Sequence, residues 1–360
     1  FYGRRDGKTT YFDVSSKQQE EISYPKGILF LTQLKEQGKV IKKNAGASLI
    51  DLGDGVACVE FHSKMNTIGG DTIQMIHEGL KTAREGFCGL VIGNQGQNFS
   101  VGANLMLILL EAQEQNWEEI DGMIRAFQRV TMAIKYSPMP VVVAPFGMTL
   151  GGGCEISLHG GGLQASAETY IGLVELGVGV IPAGGGTKEM LIRSLERAGK
   201  DPESNLFPHL SQAFETIALG KVSASAHEAK ALGLLRSGDG ISMNRDRLIA
   251  DAKARVLRMV AAGYQKPEPA TVLALGNRGL ATLKIGMHQM KRGGFISDHD
   301  FTIGSKLAFI LCGGDCNSVQ EVAEECILDL EREAFLSLCG ERKTLERIQH
   351  MLQKGKPLRN

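Results

Sequence analysis

Short apolar runs alternate with helical segments through the middle of this 360-residue chain. Residues 56–61, 89–92 and 141–144 are predicted strands, the last with the β-branched composition of a buried strand. Residues 117–136 place apolar side chains at three- and four-residue steps, which indicates a helix, and residues 71–85 are a second candidate helix. Because strands that alternate with helices usually run parallel, we expect a parallel sheet with crossover helices.

The alternation continues for one further unit and then stops. Residues 155–159 and 187–195 are predicted helices, and residues 169–173 are a predicted strand. Beyond about Ser223 the strand signals disappear. The segments that follow all have helical patterns: residues 246–262, 276–291, 297–311, 318–338 and 342–353. We therefore expect an α/β middle followed by an all-helical end.

Composition excludes several classes of protein. Lys plus Arg and Asp plus Glu both total 40, so no net field favours nucleic acid or an anionic membrane as a partner. No apolar run approaches the roughly 18 residues that a transmembrane helix needs, and no signal peptide is visible. The seven cysteines and eight histidines show no metal-ligand spacing. We expect no bound metal, reduced thiols and a cytoplasmic location.

Glycines mark the candidate site. The 45 glycines cluster at residues 151–153, 160–162 and 184–186, where the backbone must turn tightly or approach something closely. The first cluster follows a strand and opens a helix, so its free N–H groups and the helix dipole favour a developing oxyanion. Residues 99–104 form a second loop of this kind. Together the two loops predict a pair of backbone donors for one carbonyl oxygen.

Other glycine-dependent functions do not match the sequence. Gly177 and Gly179 begin like a dinucleotide fingerprint, but Pro182 occupies the sixth position and no suitable strand precedes them. The chain contains no phosphate-binding G-x-x-x-x-G-K-[ST] motif and no G-x-S-x-G motif. Neither nucleotide redox chemistry nor a serine hydrolase is predicted.

Two glutamates are candidates for acid–base chemistry. Glu155 lies just inside a helix start, and Glu175 is bounded by apolar residues. A carboxylate in apolar surroundings has a raised pKa, which suits a general acid near neutral pH. Taken singly, Glu155 could instead be a partner of the helix dipole, and Glu175 could be solvated on a turn. Because 20 residues separate them, the fold must bring them together.

Four stretches in order resemble the crotonase, or enoyl-CoA hydratase, family. They are residues 99–105, residues 150–158, residues 172–186 with the run Ile-Pro-Ala-Gly-Gly-Gly, and residues 222–234. The resemblance covers about residues 46–260. It implies an α/β fold with a crotonase-like ββα spiral core, followed here by a long helical C-terminal region.

The resemblance also implies the chemistry. Ala103 and Gly152 would supply the two N–H groups of the oxyanion hole. Glu155 and Glu175 match the two catalytic glutamates of true hydratases, which hold one water between them. Glu155 would act mainly as the base on that water, and Glu175 would deliver a proton to Cα.

The substrate implied is an acyl-CoA thioester, with no cofactor in this chain other than the coenzyme A of the substrate. Lys64 and Met65 correspond to the family's first CoA loop, and Val101 and Gly102 would line the same binding site. Two departures stand out. Asn104 replaces a frequent Asp, and residues 160–162 replace a stretch where many relatives carry Asp, which predicts a looser helix end after Glu155.

The flanking segments suggest a longer parent protein. They resemble the second half of a fused bacterial 3-hydroxyacyl-CoA dehydrogenase and enoyl-CoA hydratase, whose NAD-binding part would lie upstream. Residues 1–45 would then be the tail of the dehydrogenase unit, residues 46–265 the catalytic core and residues 266–360 the helical C-terminal region. Family analogy implies a homo-oligomer, trimeric or larger, with a thiolase as a further candidate partner.

Two alternatives remain open at this point. The same fold could house an enoyl-CoA isomerase, in which Glu175 dominates and Glu155 is incidental. The chain could also be a non-catalytic docking subunit that binds CoA esters without turnover.

Overall fold

The computed structural model describes residues 1–5, 8–22, 27–198 and 205–360. Parts of the predicted N-terminal tail, residues 6–7 and 23–26, lie outside the described residues. A small antiparallel sheet opens the chain, made of β1 (Tyr2–Arg5), β2 (Lys8–Asp13) and β3 (Gln18–Glu21).

Seven of the described strands form the main sheet, in the order β12-β10-β8-β7-β6-β5-β4. They are β4 (Val40–Lys43), β5 (Ala47–Asp51), β6 (Val56–Phe61), β7 (Gly89–Gly93), β8 (Val141–Val143), β10 (Gly162–Ser166) and β12 (Gly240–Ser242). The strands from β6 to β12 pair in parallel, as the alternation predicts, and β4 and β5 add an antiparallel edge. The main sheet therefore begins before Gly46.

Two further strand pairs lie outside the main sheet. β9 (Gly147–Leu150) pairs in parallel with β11 (Thr169–Gly172), and β13 (Thr271–Ala274) pairs antiparallel with β14 (Gln320–Ala323).

The helices between and after the strands match most of the predicted segments. They are α1 (Leu31–Glu36), α2 (Gly70–Gly86), α3 (Leu105–Gln113), α4 (Trp117–Lys135), α5 (Gly152–His159), α6 (Gly186–Ala198), α7 (Phe207–Ala218), α8 (Ala226–Ala231), α9 (Leu248–Ala261), α10 (Gly276–Arg292), α11 (Asp298–Leu311), α12 (Glu324–Cys339) and α13 (Arg342–Lys354). Among the described residues, no helix combines the length and apolarity needed to cross a lipid bilayer.

The prediction that strands stop after about Ser223 is wrong. β12, β13 and β14 all follow it, and the segment predicted as one helix from residue 318 to 338 begins with β14. These strands are three or four residues long. A strand this short carries little pattern of its own, and pairing with a distant strand decides its conformation.

Helices cover both faces of the main sheet. Side chains alternate along β7, so Leu90 packs beside Gly79 of α2, whereas Gly89 and Gly93 face Val256 and Ile249 of α9. The strands β6, β7, β8 and β10 are buried along their whole length, and β7 and β8 carry only apolar residues and glycine.

Gly172, at the end of β11, packs directly against a neighbouring backbone. A Cβ at this position would collide with the carbonyl oxygen of Lys221 and lie 3.0 Å from Cα of Val222. Because a backbone cannot swing aside as a side-chain tip can, we expect Gly172→Ala to lower the free energy of unfolding by about 1–3 kcal/mol in urea titrations.

Gly122→Ala is the matched control. Gly122 is exposed on α4, and no atom lies within 4 Å of its Cβ position. Since Ala favours helix more than Gly does, we expect this variant to gain up to about 1 kcal/mol. Equal effects of the two substitutions would contradict the close packing inferred at Gly172.

Candidate active site

The two predicted oxyanion loops run side by side. Ser100 forms a parallel bridge with Thr149. The N–H of Ser100 donates to the Met148 carbonyl at 3.2 Å, and the N–H of Leu150 donates to the Ser100 carbonyl at 2.9 Å. A Cβ at Gly102 would lie 3.4 Å from the amide nitrogen of Gly152. The backbone segments that carry Ala103 and Gly152 are therefore in direct contact.

Helix geometry leaves the Gly152 amide available. Gly151 has a φ of +53°, a left-handed conformation that suits glycine, and Gly152 is the first residue of α5. The first N–H groups of a helix have no acceptor within it, and the helix dipole adds partial positive charge there. Asn104 caps α3, because its side chain accepts a hydrogen bond from the N–H of Leu107 at 3.4 Å.

The predicted CoA loop adjoins the same place. The N–H of Ile68 donates to the Gly102 carbonyl at 2.8 Å, which ties residues 64–68 to the oxyanion loop. Lys64 and Met65 are both exposed. Val101 is half-buried, and Gly102 is buried between the two loops.

Glu155 is buried on α5 with backbone amides as its partners. Its Oε1 accepts hydrogen bonds from the N–H groups of Gly184 at 2.7 Å and Gly186 at 2.9 Å. Burial raises the pKa of Glu155 to about 7, and the two amide donors limit that rise. Glu155 forms no ion pair within the described residues.

Glu175 begins a 3-10 turn, Glu175–Val178. The residue as a whole is partly accessible, but its Oε2 is buried and has no hydrogen-bond partner among the described residues. Burial raises the pKa of Glu175 well above its ordinary range, and the negative charge of Glu155 raises it further. An unpaired buried carboxyl of this kind favours the protonated form.

The structure brings the two glutamates to one place through Gly151. The Gly151 carbonyl accepts the N–H of Glu155 at 2.9 Å. A Cβ at Gly151 would lie 3.2 Å from Oε1 of Glu175. The pairing of β9 with β11 causes this convergence, because α5 follows β9 and the turn with Glu175 follows β11. The N–H of Gly151 extends that pairing with a bond to the Gly172 carbonyl at 3.0 Å.

Phe127 of α4 packs against the start of α5 and against the glycine turn at residues 184–186, and no sequence pattern placed it at the site. A Cβ at Gly152 would lie 3.3 Å from Cζ of Phe127, and a Cβ at Gly184 would collide with the same ring. The apolar face of the predicted helix at residues 117–136 includes Phe127, so periodicity placed it in the core. Its neighbours could not be identified from periodicity.

A network of buried charges lies behind Glu155. Lys135 contacts Glu189 at 2.7 Å and Glu324 at 2.8 Å, and Lys188 contacts the same two carboxylates at 2.8 Å and 3.0 Å. Because each carboxylate meets two lysines, the buried charges compensate one another.

His159 is buried in this network. Its Nδ1 lies 2.7 Å from the Glu155 carbonyl oxygen, and its Nε2 lies 3.8 Å from Oε1 of Glu189. Burial lowers the pKa of His159 well below its ordinary value, and the positive charge of Lys188 lowers it further. The imidazole is therefore neutral.

Residues 160–162 follow directly on α5, and the looser helix end expected there stays a prediction. α5 ends at His159, Gly160 follows as its C-cap, and Gly162 already belongs to β10. No group of three or more His, Cys, Asp or Glu side chains within the described ranges is arranged to hold a metal ion.

C-terminal helices contact the turn that bears Glu175. The hydroxyl of Thr344 donates to the Gly179 carbonyl at 2.8 Å, and the guanidinium of Arg347 donates to the Leu176 carbonyl at 3.3 Å. Arg347 is almost fully buried and also pairs with Asp300 at 2.8 Å. Both ends of the turn are therefore fixed by α13.

This architecture has the crotonase fold. An enoyl-CoA hydratase from Bacillus halodurans aligns with a TM-score of 0.56 at 17% identity, covering 84% of this chain and 98% of that one. An enoyl-CoA hydratase from Mycobacterium avium subsp. paratuberculosis K-10 aligns with a TM-score of 0.55 at 20% identity, covering 88% and 99%. The predicted fold class is confirmed by these structures.

Residues 51–201 match the family model described as enoyl-CoA hydratase/isomerase. A Bacillus subtilis (strain 168) protein named "Probable 3-hydroxyacyl-CoA dehydrogenase" is 51% identical over all 360 residues. The chain spans 45% of the length of that relative. The predicted resemblance to the crotonase family, and to a protein named as a dehydrogenase, is confirmed by these matches.

We expect Glu155→Gln to stabilise the fold increasingly as pH rises. The unfolded carboxyl ionises near its ordinary pKa, whereas the buried one has a pKa of about 7. The stability that wild type gains from a protonated Glu155 is complete below the ordinary value and is lost as pH rises through about 7. Gln keeps the acceptor oxygen without the charge.

Urea unfolding between about pH 5 and about pH 8 measures this effect. The Gln variant should gain up to about 3 kcal/mol relative to wild type across that window. A difference between the two proteins that does not change with pH would contradict the raised pKa.

Proposed function

We propose that this chain adds water across the double bond of a trans-2-enoyl-CoA, giving a 3-hydroxyacyl-CoA, as in fatty-acid β-oxidation. The observation that carries the proposal is the pair of buried carboxyls, Glu155 and Glu175, beside two backbone loops. Neither carboxyl has a cationic partner within the described residues, so both are free to exchange protons.

The thioester oxygen accepts hydrogen bonds from the N–H groups of Ala103 and Gly152. These donors stabilise the negative charge that develops on that oxygen when the β carbon is attacked. The helix dipole of α5 acts in the same direction at Gly152. A donor of this kind contributes roughly 10²–10³ in rate.

The two glutamates handle the protons. Glu155, ionised above its pKa of about 7, accepts a proton from a water molecule whose oxygen bonds to Cβ. Glu175, whose raised pKa keeps it protonated, donates its proton to Cα. Proton exchange with solvent then returns both groups to their starting states, so water is the only molecule added to the substrate.

The CoA portion would lie along the loop beside the oxyanion site. Lys64 is exposed and forms no ion pair within the described residues, so its ammonium group is available to a phosphate. The backbone near Met65 would contact the nucleotide end, and Val101 and Gly102 would line the thioester channel.

An isomerase on the same fold is the second candidate. Oε1 of Glu155 is occupied by two amides, whereas Oε2 of Glu175 has no hydrogen-bond partner among the described residues. In that case Glu175 alone moves a proton between two carbons of a 3-enoyl-CoA. The family description covers both reactions.

The longer relative supports a place in a larger enzyme. We propose that this chain is the hydratase portion of a protein that also carries an NAD-dependent 3-hydroxyacyl-CoA dehydrogenase. The second activity would oxidise the product of the first. The homo-oligomer, the thiolase partner and the cytoplasmic location stay predictions.

Glu155→Gln and Glu175→Gln test the two-carboxylate mechanism. Each variant keeps the side-chain shape but loses a proton carrier, so we expect kcat for 2-enoyl-CoA hydration to fall roughly 10²–10⁴-fold. The measurement follows the absorbance of the conjugated thioester. Glu168→Gln, at an exposed position, is the control and should stay within about twofold of wild type.

The same assays separate the candidates. Full hydration by Glu155→Gln would overturn the two-carboxylate mechanism. Conversion of 3-enoyl-CoA without water addition would favour the isomerase. Binding of CoA esters with neither reaction would indicate the docking subunit instead.

The pH profile of kcat/KM tests the assignment of base and acid. Glu155 must be ionised, so the rate should rise with pH up to about 7, the pKa of that carboxyl. Glu175 must be protonated, so its raised pKa places the falling limb on the alkaline side. A profile that is flat from about pH 5 to about pH 7 would contradict the role of Glu155 as base.

A further inference from the structure

The glycine turn at residues 184–186 is held between two carboxylates. The N–H groups of Gly184 and Gly186 point to Glu155. The N–H of Gly185 points the other way and donates to Oε2 of Glu331 at 2.8 Å. The N–H of Lys188 donates to Oε1 of the same carboxylate at 2.6 Å. The first and third amides of the turn thus bind Glu155, whereas the amide between them binds Glu331.

Glu331 comes from α12, 146 residues beyond Gly185. Its side chain is fully buried. Burial raises the pKa of Glu331 well above its ordinary range, the negative charge of Glu155 raises it further, and the two amides at the start of α6 limit that rise. The carboxylate occupies the place of an N-cap, since Gly185 precedes the helix and Lys188 lies in its first turn.

Neighbouring bonds fix the carbonyl side of the turn. The Gln128 amide donates to the Ala183 carbonyl at 2.9 Å and to the Leu328 carbonyl of α12 at 2.8 Å. The Thr131 hydroxyl donates to the Gly184 carbonyl at 2.8 Å. α12 and the turn are therefore joined both by Glu331 and by Gln128.

Three glycines in succession would otherwise make a mobile backbone. Gly185 has a φ of +98°, which only glycine adopts readily, so the chain itself does little to hold this conformation. The position of Oε1 of Glu155 depends on the two amides that this turn presents. An outside anchor is needed to keep those amides aimed at Glu155.

We propose that Glu331 is a positioning residue for Glu155, holding the glycine turn so that Oε2 of Glu155 stays directed at the reacting water. The inference rests on the proposed hydration and assigns to the C-terminal region a part in it. Glu331 itself touches neither water nor substrate in this scheme. Its loss should therefore change kcat far more than KM.

Glu331→Gln is the first variant, made in the whole 360-residue chain. Gln can accept one of the two amide bonds but turns its own NH₂ toward the other donor. With trans-2-butenoyl-CoA as probe, we expect kcat to fall up to about 100-fold and KM to stay within about twofold, because a misplaced base slows chemistry rather than binding.

A double variant separates positioning from general damage. If Glu331 acts through Glu155, adding Glu331→Gln to Glu155→Gln should lower kcat no further, since residues that act as a unit are not additive. The same fractional loss in both backgrounds would overturn the proposal, as would a wild-type kcat for Glu331→Gln alone.

Arg332→Gln is the matched control on the same helix. Arg332 ties α12 to α4 through Asp121 at 2.7 Å and takes no part in the glycine turn. We expect its kcat to stay within about twofold of wild type. An equal loss of kcat in Arg332→Gln and Glu331→Gln would show a merely structural effect of α12 and would overturn the proposal.

A second variant covers the case in which Glu331→Gln does not fold. Gln128→Met cuts the other link between the turn and α12 without removing a buried carboxyl group, and circular dichroism gives the folded fraction. Its kcat per folded molecule should also fall, again only when Glu155 is intact, and an unchanged kcat would overturn the proposal. Failure of the wild-type chain to hydrate the probe would refute the proposed function instead.

Discussion

The parallel pairing of β9 with β11 is the constraint on which the site depends. It sets Leu150 opposite Gly172 and so lays the segments that follow the two strands beside each other. Glu155 and Glu175 lie a few residues past those strand ends. Although 20 residues separate them in sequence, the strand pairing brings them close together in space. A shift of register by one residue would reverse which side chains face the loops.

The buried acids of this chain fall into two groups with different electrostatics. Glu189 and Glu324 share Lys135 and Lys188, so their charges are compensated within the fold. Glu155 is compensated by backbone amides instead, and a dipole stabilises an anion less than a full cation does. The difference in partners is what leaves its protonation balanced near neutral pH.

Much of the fold, and part of the candidate site, could be predicted from local sequence. Periodicity located α4, composition located β8, and glycine clusters marked the loop before α5 and the turn at residues 184–186. The remainder depends on contacts between distant residues. Glu331 lies in an acidic helical stretch that resembles a solvated face, and only its contact with Gly185 reveals that it is buried. The strands β13 and β14 escaped prediction for the same reason, because each is stabilised by the other across about 50 residues.

At each of the three glycines of the turn at 184–186, another side chain fills the space that a Cβ would need. The Phe127 ring fills the room a side chain would need at Gly184, and His159 lies 2.7 Å from the Cβ position of Gly185. Glu155 itself lies 2.9 Å from that of Gly186. Because the same ring also abuts Gly152, a smaller residue at position 127 would leave unfilled space between the start of α5 and the turn. Phe127 is thus the side chain whose volume separates the turn from the start of α5.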